Sequence, residues 1–127
     1  MTLRTKQFIN WLVVILWLGV IYYFSHQPDL KSELEPFWDL IFRKIAHMVE
    51  YFVLTFLLFR ALGQYRLSSK KRLVLALFLA VLSAATDEWH QSFIKGRSAS
   101  LLDVGVDSIG TLTFIILNSL QLRKTLD

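Results

Sequence analysis

The stretch Phe8-Ile9-Asn10-Trp11-Leu12-Val13-Val14-Ile15-Leu16-Trp17-Leu18-Gly19-Val20-Ile21-Tyr22-Tyr23-Phe24 carries no charged side chain. Wound as a helix it is apolar on every side, whereas a helix on the surface of a soluble domain keeps a polar face. It lies near the lower limit of length for crossing a hydrocarbon core of about 30 Å. Trp11, Trp17, Tyr22 and Tyr23 supply aromatics of the kind that settle at membrane interfaces. Three further apolar runs follow, at Ile45–Phe59, Leu73–Thr86 and Leu101–Leu122. The second is interrupted by His47 and Glu50, and the fourth by Asp103 and Asp107.

The expectation is an all-α integral membrane four-helix bundle. It is a single domain over residues 1–127, with helices at about 7–25, 42–62, 71–91 and 101–122. The alternative is a soluble helical bundle with a greasy core. A hydrophobic content of 54% against 19% charged residues argues against it. Arg4 and Lys6 ahead of the first run resemble a signal peptide, but Tyr22-Tyr23-Phe24-Ser25-His26 lacks a small-x-small cleavage site. A retained anchor helix is expected. Between the first two helices, Ser32 and Glu35 have capping-box spacing, and Leu34, Phe37, Trp38 and Ile41 could form the apolar side of a short interfacial helix.

The absence of cysteine excludes disulfides and thiolate metal sites. The net charge of +4 does not point to nucleic acid, because the basic residues bracket the apolar runs and form no stripe with interleaved aromatics. Nine of the 14 Lys and Arg residues fall in the two tails and the Arg60–Arg72 connector. That places both termini and this connector in the cytoplasm, N-in and C-in, in a multi-pass protein of the inner or plasma membrane. The connector reads as a topology determinant that touches anionic lipids.

This topology gathers the polar residues at the other face. Helix one ends there with Ser25 and His26; helix two begins with Lys44, His47, Glu50 and Tyr51. Helix three ends with Asp87, Glu88, His90 and Gln91, and helix four begins with Asp103 and Asp107. Lys44, His47 and Tyr51 at i, i+3 and i+7 share one helix face, as do Asp103, Asp107 and Gly110. Gly110 would let another helix approach closely. Facing lipid, each charge would cost about 2.5–3.5 kcal/mol; facing one another, they form a pocket.

Each residue has a sharp and a bland reading. Lys44 and Arg97, with Arg43 and Lys95 nearer the rim, clamp an anion such as a lipid phosphate, or serve as counter-ions for Glu50, Asp87 and Asp103. His47 is suited to proton transfer or nucleophilic attack, or is a histidine hydrogen-bonded between helices. Asp87, Glu88, Asp103 and Asp107 offer hard oxygen ligands for a divalent cation such as Mg²⁺. Without a compact ligand motif, ion pairing between helices three and four is the preferred reading. His26 and His90 read as interfacial, Glu50 as snorkelling outward, and Trp89 and Phe93 as part of the aromatic belt. Gly96-Arg97 reads as a turn that folds the arginine back over the pocket or as an ordinary surface turn.

At these residues the sequence resembles the VanZ-like family, small membrane proteins named for a teicoplanin-resistance accessory protein. Phe24-Ser25-His26-Gln27-Pro28 matches the family's serine-x-x-proline after the first helix, which is what brings Ser25 into the candidate site. Lys44-Ile45-Ala46-His47-Met48-Val49-Glu50-Tyr51 matches its lysine-x-x-histidine-x-x-x-tyrosine. Asp87-Glu88-Trp89-His90-Gln91-Ser92-Phe93 matches an acidic pair followed by x-x-glutamine-x-phenylalanine, and Gly96-Arg97-Ser98 with Asp103 completes the pattern. The chain departs from it at Lys95, where proline is usual, and at Asp107, where asparagine is expected; helix four also lacks a second glycine after Gly110.

The resemblance implies an inner-membrane protein of the cell envelope linked to glycopeptide response, without fixing an activity. The reading is a pocket on the extracytoplasmic side that recognises, and in one version modifies, a lipid-linked phosphate headgroup of a membrane lipid or cell-wall precursor. His47, Asp87, Glu88 and Asp103 are its candidate catalytic residues. Lys44, Arg97, Tyr51, Gln91 and Ser25 are its candidate substrate contacts. The alternatives are a non-enzymatic lipid-, precursor- or partner-binding protein whose polar cluster is a structural ion-pair network, and a proton- or cation-coupled site.

Overall fold

A computed structural model describes residues 1–26, 36–91, 93 and 101–126, with side chains described at all of these except 25, 26, 36, 37, 39, 40, 91, 101–103, 122, 123, 125 and 126. Four helices follow one another: α1 (Leu3–His26), α2 (Pro36–Leu62), α3 (Ser69–Gln91) and α4 (Leu101–Leu126). All four are long and apolar enough to cross a membrane. Helices are the natural form for such segments, since lipid offers no partner for a backbone N–H or C=O and a helix satisfies them internally.

The ends follow local chemistry. Thr2 caps α1, its hydroxyl accepting from the Thr5 N–H at 3.2 Å. Ser68 does the same for α3 through the Lys71 N–H at 3.3 Å. Helix α2 starts at Pro36, a residue suited to the first turn because its missing N–H would find no partner there. This revises the expected start near residue 42. Trp38 and Ile41, assigned from sequence to a separate interfacial helix, instead lie within α2; the rest of that expected helix, through residue 35, lies outside the described residues. Helix α2 ends at Leu62, where the Gly63 N–H donates to the Phe59 carbonyl at 3.1 Å.

Helices α2, α3 and α4 pack pairwise into a three-helix core. Helix α1 packs on α2, touches α3 lightly and, among the described residues, does not touch α4. Small residues bring the backbones together, as is usual between membrane helices. Ala76, Ala80 and Ala84 line one face of α3 and are fully buried. Gly110 of α4 lies directly against the Met48 carbonyl of α2. Beside this contact the Thr55 and Thr111 hydroxyls meet at 3.0 Å, both wholly buried, and Thr55 also donates to the Tyr51 carbonyl at 2.7 Å. Most other large apolar side chains point outward, as a lipid-facing surface requires.

Helix α1 is held to α2 at two levels. The Trp17 indole N–H donates to the Glu50 carbonyl at 2.9 Å. Toward the other end, Asn10 accepts from Arg60 Nε at 3.0 Å, and the Trp11 indole donates to the Tyr65 hydroxyl at 2.9 Å. Val14 and Ile21 are the α1 side chains sealed into the core.

Candidate functional site

Helix register brings the polar residues together. The Met48–Gly110 contact sets α2 against α4 so that His47 and Asp107 fall at one depth. His47 is six residues inside the span that begins at Ile41, or about 9 Å along the helix axis. This level is in the half of the span away from the Arg60–Arg72 connector. His47 Nδ1 lies 3.3 Å from Glu50 Oε2 and 3.8 Å from Asp107 Oδ1. Asp107 is 4% exposed, so its carboxylate depends on neighbours rather than water.

One turn further in, Tyr51 is buried, with Asp87, Asp107 and Glu50 all within electrostatic reach and its hydroxyl turned toward the Asp87 carboxylate. Asp87, one of the α3 residues facing this cluster, is itself buried. Three polar atoms in the group, His47 Nδ1, Glu50 Oε2 and the Tyr51 hydroxyl oxygen, are buried without an aligned hydrogen bond. Buried polar atoms nearly always find such partners, and two of these three, His47 Nδ1 and Glu50 Oε2, have each other at 3.3 Å.

A mostly apolar cavity of about 280 Å³ opens beside Tyr51. Tyr51 and Asp87 form its polar end, and Leu18, Ile21 and Leu82 line its apolar part. It lies where α1 and α3 touch only lightly. Above it the Tyr22 ring stacks on His90, with centroids 4.5 Å apart and the hydroxyl 3.3 Å from His90 Nδ1.

The structure therefore joins His47, Tyr51 and Asp87. Glu88 is buried on α3, and Lys44 is half-buried one turn before His47. The side chains of Ser25, Gln91, Arg97 and Asp103 lie outside the described residues. Two residues underrated from sequence belong to the cluster. Glu50 does not snorkel outward; it turns to His47, three residues before it, a spacing that was the available signal. Asp107, rather than Asp103 alone, supplies the α4 carboxylate. His90 packs against Tyr22, and Trp89 and Phe93 are exposed, as belt residues would be. Among the described residues, no three His, Asp or Glu side chains are arranged to hold a metal ion.

The arrangement can orient an imidazole. With Nδ1 directed at two carboxylates, Nε2 is the nitrogen left to exchange a proton with a bound group.

Comparison with known proteins gives a family-wide match. The VanZ/LLP1 family model matches residues 8–121, which take in α2, α3 and most of α1 and α4. No curated protein and no solved structure matches the chain. On the family match, the chain, a multi-pass membrane protein of four helices, belongs to the VanZ/LLP1 family.

Proposed function

We propose that the polar cluster is a headgroup site for a lipid-linked phosphate, reached from within the membrane through the cavity beside Tyr51. The observation that carries this reading is the buried, unaligned Tyr51 hydroxyl beside Asp87 at the polar end of an apolar cavity, with His47 one turn before it on α2. A molecule with an apolar tail and a polar head has that same division. Leu18, Ile21 and Leu82 would hold the tail, and the Tyr51 hydroxyl and Asp87 would meet the head.

Carboxylates alone would repel a phosphate. Lys44, and Arg97 by the family pattern, supply the positive charge in this reading. His47, oriented through Nδ1 by Glu50 and Asp107, would pass a proton through Nε2 to or from a headgroup oxygen. Glu88 and Asp103 act with Asp87 to orient these groups, and Gln91 and Ser25 add hydrogen bonds. The positive-inside count supports an extracytoplasmic site, where lipid-linked wall precursors would be exposed, and the family resemblance supports a link to glycopeptide response, teicoplanin included.

A second reading rests on the same short distances. His47, Glu50 and Asp107 would form a structural network that locks α2 to α4, and the protein would act by binding a lipid or precursor without changing it. The test uses purified protein in nanodiscs offered phosphatidylglycerol, a polyprenyl phosphate and a polyprenyl pyrophosphate. Product that disappears with His47→Gln establishes an enzyme. Saturable binding lost only with Arg97→Gln, and no product, establishes the binder. Absence of binding to all three lipids refutes the headgroup site.

A further inference from the structure

At the opposite, basic end of the bundle a second cavity, of about 440 Å³, runs along α2 and α4. Its wall is aromatic. The Phe114 ring of α4 meets Phe52, Phe56 and Phe59 of α2 edge to face, with centroids 5.6, 6.0 and 5.7 Å away. From Phe52 to Arg60 the groove follows α2 for about 12 Å.

Two arginines stand at its mouth, each fixed by its Nε. Arg72 donates to the Phe59 carbonyl at 2.6 Å, and its guanidinium lies 3.5 Å above the Phe59 ring centroid. Gly63 leaves room for it, since a Cβ there would lie 2.7 Å from Arg72 Cζ. Arg60 donates from Nε to Asn10 at 3.0 Å. Both anchors are neutral. Among the described residues neither guanidinium has a carboxylate partner, so two oriented charges with terminal N–H groups face one cavity without a counter-ion. Asn118 borders the same cavity, and its buried side-chain oxygen has no hydrogen-bond partner.

We infer that this groove is a binding site for an anionic glycerophospholipid of the leaflet at the basic end, one whose headgroup carries a hydroxyl. The phosphate sits between Arg60 and Arg72, where planar guanidiniums suit it. The headgroup hydroxyl donates to Asn118. One acyl chain runs down the groove past Phe59 and Phe56 to Phe52. A soluble phosphate would use the arginines but leave the aromatic groove empty at membrane depth, so the occupant is the lipid. The site is independent of the polar cluster in the other half of the bundle.

The test is native mass spectrometry of the full chain released from nanodiscs made of equal parts phosphatidylcholine and phosphatidylglycerol. The protein should retain phosphatidylglycerol preferentially. Each of Arg60→Gln and Arg72→Gln should lower that preference by about fivefold, from ~1 kcal/mol per basic residue near an anionic headgroup. Arg60→Lys, which keeps the charge and the fold, should keep most of it. In discs of equal parts phosphatidic acid and phosphatidylglycerol, Asn118→Leu should erase the preference for phosphatidylglycerol. Equal retention of phosphatidylcholine and phosphatidylglycerol by the unaltered protein overturns the proposal. So does displacement of the retained lipid by inorganic phosphate, which would make the arginines a soluble-anion site.

Discussion

Gly110→Ala should destabilise the bundle at the close contact of α2 with α4. A Cβ at residue 110 would collide with the Met48 carbonyl oxygen and lie 2.8 Å from the Met48 carbonyl carbon and 3.1 Å from its Cα. These are backbone atoms, so no rotamer change relieves the clash, and α2 and α4 must separate locally by roughly an ångström to restore C···O distances of about 3.3–3.6 Å. Overpacking of this kind costs about 1–3 kcal/mol. The same separation stretches the Thr55–Thr111 contact from 3.0 Å beyond hydrogen-bonding range, and stranding the buried Thr111 hydroxyl adds about 1–3 kcal/mol. The higher helix propensity of alanine returns about 1 kcal/mol. The net loss is on the order of 1–5 kcal/mol, with its larger part in the α2–α4 contact. Gly105 is the control, because nothing lies within 4 Å of a Cβ built there. Gly105→Ala should therefore leave stability unchanged or raise it by up to about 1 kcal/mol. Equilibrium unfolding in mixed detergent micelles, followed by circular dichroism, measures both. Equal stabilities of the two variants would refute the close α2–α4 approach and the register that places His47 beside Asp107.

The same register carries two further expectations. Asp107→Asn should leave stability within about 1 kcal/mol, since the amide keeps the shape and a polar contact to His47, whereas Asp107→Ala should cost about 1–3 kcal/mol by leaving His47 half-partnered; the same unfolding assay separates them, and equal losses would show that His47 does not lean on residue 107. Thr55→Val and Thr111→Val should couple, with a double-mutant-cycle energy of about 0.6 kcal/mol and at most ~1.7 kcal/mol, and strict additivity would place the two hydroxyls apart.

The four spans were legible because lipid imposes one requirement, an uninterrupted apolar helix, and the chain states it four times. Gly110 was readable as a close approach because glycine between membrane helices has few other uses. The start of α2 was misjudged because the polar character of residues 26–39 masked Pro36, which opens the helix instead of breaking it. The site was legible as a set of faces but not as a set of partners. Asp103 and Asp107 share a stripe on α4, and only the Met48–Gly110 contact shows that Asp107 is level with His47. For Glu50 the sequence leaves two readings, a pocket acid or a carboxylate that snorkels outward; its i+3 spacing from His47 is the signal that favours the first. The link from Trp17 to the Glu50 carbonyl, the stacking of Arg72 on Phe59 and the isolation of Asn118 depend on tertiary pairing, which spacing along one helix does not encode.

The peripheral seat of α1 has a consequence for biogenesis. The hydrogen-bond partners of Asn10, Trp11 and Trp17 lie on α2 or in the connector just behind it. An α1–α2 hairpin can therefore close as soon as residue 65 has left the ribosome, with no need for the later helices. Helix α3 then adds the Tyr22–His90 stack. Because α1, among the described residues, does not touch α4, the last helix docks on an open face of α2 and α3 and never has to pry earlier ones apart. The bundle can be built in the order in which it is translated, each new helix sealing the one before it.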